Sequence, residues 1–246
     1  HKVIHFRFAQ RLIDKLNGSL GDDTLEITDA ATIIDTDFTN ISNIEILKLS
    51  NAADQSVVVG SFASANNSSL ETIEASVLTN AITINAKDFT KDLAITTGDK
   101  ADTIWASQGK ANVNAGAEDD IIKIASSSFD TNDKINGGAD SDILEFIDKA
   151  IVSDKSFKGV LSIEKIVVND FSEQSIELGS IAASNDIVTV DATALTGSNF
   201  ISISTEQINT TKDLNIKTGS GDDIVSIRKL HFIDLSTYRM VHIGCK

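Results

Sequence analysis

The sequence has no proline and only one cysteine, one methionine, one tryptophan and one tyrosine among its 246 residues. A chain with a single thiol cannot stabilise itself through internal disulfides. Without proline, its turns must be made by Gly, Asn, Asp and Ser. No apolar run reaches the ~18–20 residues that a membrane-spanning helix needs, so membrane insertion is not expected. The opening HKVIHFRFAQRLI lacks the apolar stretch and cleavage site of a signal peptide, and no initiator Met begins the chain, so a piece of a longer protein is expected. Residues 12–227 contain no Arg, His, Tyr, Met or Cys. Only Asp, Glu and Lys remain there for proton chemistry. There is no His-Glu-x-x-His zinc motif and no Gly-x-Ser-x-Gly nucleophile turn. A carboxylate pair of the glycosidase type is the one catalytic device left open.

What the body does contain is acid. Residues 12–227 carry 35 acidic side chains against 14 lysines, a net charge of −21, while the two ends together carry +6. A field of that sign repels nucleic acid and anionic membranes and favours cations. The ends read as different sequence: 1–11 and 228–246 are expected to be atypical tails. His1 and His5 within them are expected to be surface or tag-derived, and Cys245 has no nucleophile context.

The body repeats. DQSVVVGSFASANN (54–67) returns as EQSIELGSIAASND (173–186), and NIEILKL (43–49) as SIEKIVV (162–168), both at a shift of 119. TKDLAITTGDKADTI (90–104) returns as TKDLNIKTGSGDDIV (211–225) at 121. The expected organisation is a first unit over 12–131 and an incomplete second over 132–227. Runs such as IEILKL, AITINA and SIELGS alternate at period two, the signature of half-buried strands. SLETIEASVLTNA (69–81) is the one stretch that also fits a short helix. The lysines of the repeated TKDL, Lys91 and Lys212, read as solvated charges that discourage edge pairing. Trp105 reads as an aromatic flank.

Five acidic turns punctuate these strands: GSLGDDTLE (18–26), TGDKADTIW (97–105), AGAEDDIIK (115–123), GGADSDILE (137–145) and TGSGDDIVS (218–226). Each places an Asp two residues before an apolar residue: Asp23, Asp102, Asp120, Asp142 and Asp223. The step from Asp102 to Asp120 is 18 residues, which predicts a coil of short parallel strands with one rung per ~18 residues. Neighbouring rungs lie ~4.8 Å apart. A cation between stacked turns would reach carbonyls of one and a carboxylate of the next, as a hard ion such as Ca²⁺ requires. Carboxylates stacked this way without a cation would repel one another. The competing reading is a solenoid whose acidic turns hold no metal.

These turns resemble the RTX, or hemolysin-type, calcium-binding nonapeptide G-G-x-G-x-D-x-U-x. Residues 137–145 keep Gly137, Gly138, Asp142 and Leu144, with Asp140 for the third glycine. Residues 218–226 keep Gly219, Gly221, Asp223 and Val225. Residues 18–26 keep Gly18, Gly21, Asp23 and Leu25. The remaining two keep Gly98 with Asp102 and Gly116 with Asp120, with Lys100 and Glu118 in the third-glycine position. The resemblance implies an all-β fold, a parallel β-solenoid or β-roll with stacked Gly/Asp turns. It implies Ca²⁺ as cofactor, Asp102, Asp120 and Asp142 as the best column, and carbonyls around Gly98, Gly116 and Gly138 as further ligands. It also implies a secreted, extracellular protein of the bacterial cell surface, of the RTX surface-layer or adhesin type, that folds on meeting calcium outside the cell. Neighbouring copies in a lattice or surface glycans would be its partners. On this reading the chain is not an enzyme; the alternative is a secreted polysaccharide-acting enzyme or its β-helical region.

Overall fold

The computed structural model describes residues 2–6, 15–50, 55–205 and 214–226. Cys245, Lys212 and most of both atypical ends lie outside them. The fold is all-β, a solenoid of short stacked parallel strands, with one α-helix and three short 3-10 helices among the described residues. The chain divides into two compact units. One holds the described residues up to Ile122 together with Gly137–Asp140, and the other holds Lys123–Asn136 with the described residues from Ser141 onward.

In the first unit one sheet stacks Val3–Phe6, Thr24–Ile27, Ile46–Leu49, Thr72–Glu74, Leu93–Thr96 and Ala111–Gly116, each parallel to the next. A second stacks Thr32–Ile33, Ser56–Val58, Thr83–Asn85 and Thr103–Trp105. The alternation in the sequence becomes a register. Leu25, Leu47, Ile73, Ile95 and Val113 occupy one inward row, each at most 1% exposed. Ile33, Val57, Ile84 and Ile104 form the facing row. Burying each such side chain contributes ~1.5–3 kcal/mol, and a slip of one residue would turn a whole row outward. The second unit repeats the scheme with Leu144, Ile166, Val190 and Ile216 in one row and Val152, Ile176, Ile203 and Val225 in another. Phe129 packs against Phe146 and Phe157 there, with ring centroids 5.5 Å apart in both pairs.

The rungs are longer than the turn spacing predicts. Partnered rows step by 22, 26, 22 and 18 residues from Leu25 to Val113. Only the step across the Asp102 and Asp120 turns is that short. The additional residues form excursions that the sequence reading did not anticipate: the 3-10 helices Asp35–Asn40 and Asp154–Gly159 and the α-helix Ser61–Asn66. A carboxylate clasps each excursion to the next rung. Asp35 accepts backbone N–H bonds from Gly60 (2.7 Å), Ala63 (2.9 Å) and Phe62 (3.0 Å). Asp154, 119 positions on, accepts them from Gly179 (2.7 Å), Ala182 (2.9 Å) and Ile181 (3.2 Å). The stretch 69–81 is no helix: it holds the strand Thr72–Glu74 and then turns.

Candidate cation-binding turns

All five motif aspartates are buried, at 0–3% exposure. An ionised carboxylate is expensive to bury unless its oxygens are satisfied. One oxygen of most of these is satisfied by a repeated device, the backbone N–H one rung earlier. Asp102 Oδ1 accepts from Ile82 at 2.8 Å, Asp120 Oδ1 from Asp102 at 2.7 Å, Asp223 Oδ1 from Ile201 at 3.0 Å and Asp23 Oδ1 from Lys2 at 2.7 Å. The second oxygen of Asp23, Asp102 and Asp223 is sealed from solvent and receives no hydrogen bond. The Thr97 hydroxyl lies beside Asp102 but already donates to the Ala115 carbonyl at 2.6 Å. Thr218 lies beside Asp223 in the same way. Burial therefore pushes the Asp102 and Asp223 carboxyls above the ordinary carboxylate range, despite the N–H donors that pull them down.

The five turns do not all open strands of one sheet. The Asp23 turn opens a strand of the first sheet, whereas the Asp102 turn opens one of the second. Asp102 and Asp120 do lie on adjacent rungs, since the Ile121 N–H also donates to the Asp102 carbonyl at 2.9 Å. Asp142 lies in the other unit, where its N–H donates to Glu164 Oε2 at 2.8 Å. The glycine carbonyls also have partners. Gly98 O accepts the Ala117 N–H at 3.2 Å and Gly116 O the Ala139 N–H at 3.0 Å, which leaves each a second lone pair.

Close approach explains several of the glycines. A β-carbon on Gly116 would lie 2.0 Å from Gly98 O, and one on Gly138 2.0 Å from Gly116 O. On Gly98 it would face the carbonyls of Leu78 (2.7 Å) and Ser76 (3.3 Å), on Gly219 that of Leu195 (2.4 Å), and on Gly221 that of Asn199 (1.9 Å). Asp140 is exposed and takes the Glu118 N–H at 3.3 Å, so it lies outside the buried set. Lys100 forms an ion pair with Glu118, which holds its charge at the exposed surface of the turns.

The five turns fall into two conformations. Those at 18, 115 and 137 have positive φ at their second and fourth positions: Ser19 and Gly21, Gly116 and Glu118, Gly138 and Asp140. The turns led by Thr97 and Thr218 have none. Two further left-handed residues precede a glutamate in the same way. Asn43 (φ 53°) and Ser162 (φ 49°) each stand two residues before a glutamate, Glu45 and Glu164, as Gly21 stands before Asp23. Neither turn has the fourth-position glycine or the aspartate of the motif, although Gly159 keeps the first position before Glu164. The signal that could have found them is the repeated Ile-Glu-x-Leu/Ile-x-Leu/Val at a shift of 119.

Among the described residues, no three His, Cys, Asp or Glu side chains converge as a metal cluster. A cation at these turns would therefore rest on one or two carboxylates and several carbonyls. The sealed oxygens of Asp23, Asp102 and Asp223, beside glycines crowded by carbonyls, fit a hard cation in that way. The second unit also has an open groove of ≈ 440 Å³ with Asp154, Glu177 and Lys155 in its lining. Both Asp154 oxygens are occupied by the clasp, so the groove offers no free carboxylate pair. Compared with protein-family models, curated proteins and solved structures, the chain matches none.

Proposed function

We propose that the chain is a non-catalytic, calcium-stabilised structural module of a secreted bacterial cell-surface protein of the RTX type, in the manner of a surface-layer or adhesin segment. The observation that carries this reading is the sealed second oxygen on Asp23, Asp102 and Asp223. Hydrogen bonds to one oxygen offset only part of the cost of burying these carboxylates, and a divalent cation at the other would offset the rest. Calcium, bound when present, supplies positive charge and a flexible oxygen-coordination sphere. Asp23, Asp102, Asp120, Asp142 and Asp223 would hold it, with carbonyls around Gly98, Gly116, Gly138, Gly219 and Gly221. Asp23, Asp102, Asp120 and Asp223 meanwhile staple their rungs to a neighbour through Oδ1. Because the unfolded chain presents no such arrangement, binding energy becomes folding energy. A site of few charges gives the weak affinity of extracellular modules, about 10⁻⁴–10⁻³ M.

The test is a calcium titration of metal-free protein followed by far-UV circular dichroism, beside the double variant D102N/D120N. Strand signal that grows with calcium but not magnesium, and needs more calcium in the variant, supports the reading. A metal-free protein already fully folded and indifferent to calcium contradicts it.

A further inference from the structure

Resting on the calcium reading, we infer that Glu45 and Glu164, which lie outside every recognisable nonapeptide, are cation ligands that complete the Asp23 and Asp142 turns from the next rung.

The geometry starts at Asp23. Its backbone N–H donates to Glu45 Oε2 at 2.7 Å, which brings the Glu45 carboxylate against the Asp23 turn across one rung. Thr24 pairs with Ile46, so Glu45 holds in its rung the position that Asp23 holds in its own. The Asp23 side chain is 1% exposed, and its Oδ2 receives no hydrogen bond. That oxygen faces Gly18: a β-carbon there would lie 2.7 Å from Oδ2 and 1.8 Å from the carbonyl oxygen of Asn43. Asn43 is the left-handed residue two positions before Glu45. A sealed carboxylate oxygen and a carbonyl oxygen therefore meet at Gly18, and the Glu45 carboxylate reaches the same turn from the next rung. Oxygen donors of mixed charge from two successive rungs are what a calcium ion takes.

The glutamate staple occurs twice. Asp142 donates its N–H to Glu164 Oε2 at 2.8 Å, and Lys165 N–H and Glu164 N–H both donate to the Asp142 carbonyl (3.1 and 3.2 Å), as Ile46 and Glu45 do to that of Asp23 (both 3.1 Å). Ser162 takes the left-handed place of Asn43. The two glutamates are 119 residues apart, as are the two aspartates. A staple alone needs only an acceptor oxygen, which Gln supplies as well as Glu. A cation ligand needs the charge.

The experiment measures bound calcium by equilibrium dialysis against calcium alone, with elemental analysis, for the full chain, E45Q, E164Q and E45Q/E164Q, with D102N/D120N beside them. Gln keeps the acceptor for the Asp23 or Asp142 N–H, so the fold survives; far-UV circular dichroism at high calcium checks this. Each single variant is expected to lose one ion per chain, or to need about tenfold more calcium for it, and the double variant two. Full stoichiometry at unchanged midpoint in E45Q/E164Q, while D102N/D120N loses calcium, overturns the role of the glutamates and leaves the calcium reading standing. A wild-type chain that binds no calcium overturns both.

Discussion

The turns beginning at Thr97 and Thr218 and those beginning at Gly18, Ala115 and Gly137 carry the same aspartate before the same kind of strand, yet fold differently. The first pair turns without any left-handed residue and lodges a buried threonine beside its carboxylate. The other three pass through φ > 0 twice, at the cost of placing Ser19, Glu118 and Asp140 where glycine is easier. The difference shows that the aspartate and the strand register are held constant, while the route between rungs is free to vary. The shared part is a buried carboxylate ahead of the strand, and in four of the five its Oδ1 staples a rung.

Substitutions should separate the crowded glycines of the turns from an open glycine most strongly. G116A and G138A combine a left-handed φ with a β-carbon 2.0 Å from a carbonyl oxygen, and are expected to lose about 3 kcal/mol or more in chemical denaturation. G197A has the left-handed φ (62°) with nothing within 4 Å, and should lose only about 1 kcal/mol. Equal losses at the two kinds of site would remove the close-approach argument. D35A, which strips three backbone N–H groups of their acceptor, is expected to cost about 2–4 kcal/mol, with D154A matching it in the second unit.

Acid should distinguish the threonine-led turns next. Burial raises Asp102 and Asp223 above the ordinary value of 3.8. The folded protein then binds their protons more tightly than the unfolded chain, so these two groups favour folding in acid. Their contribution declines as pH rises from the ordinary value through the raised one. Glu26 behaves oppositely: the Ser50 hydroxyl and the Lys48 ammonium hold it below its ordinary value, so its contribution is full above that value and is lost as pH falls through the lowered one. In metal-free protein, D102N/D223N is expected to gain on wild type in unfolding free energy toward neutral pH, with the gap closing in acid. A pH-independent gap would show that burial does not govern these carboxyls. The smallest effect belongs to the surface: K100A removes the exposed Lys100–Glu118 pair and should leave the denaturation midpoint almost unchanged, the more so in high salt.

Much of this was legible in the residues. Period-two alternation in IEILKL and AITINA marked strands, and the burial pattern follows it residue by residue. The 18-residue step marked Asp102 and Asp120 as neighbours. What was not legible is where the chain compensates for a missing residue type. Asn43 and Ser162 adopt the left-handed conformation without being glycine, and Glu45 and Glu164 reach with one more methylene to where aspartate would stand, so no motif marks them. The clasp of Asp35 was hidden because its partners, Gly60, Phe62 and Ala63, are backbone groups that become neighbours only once the rung closes.

The most direct measurement is the melting temperature of wild type and D102N/D223N, each metal-free and in calcium. If sealed carboxylate oxygens are cation sites, the order inverts. The amide variant melts higher without metal, because it buries no charge. Wild type melts higher in calcium, and magnesium does not produce the inversion. The same order in both conditions would mean that the buried aspartates are structural staples alone.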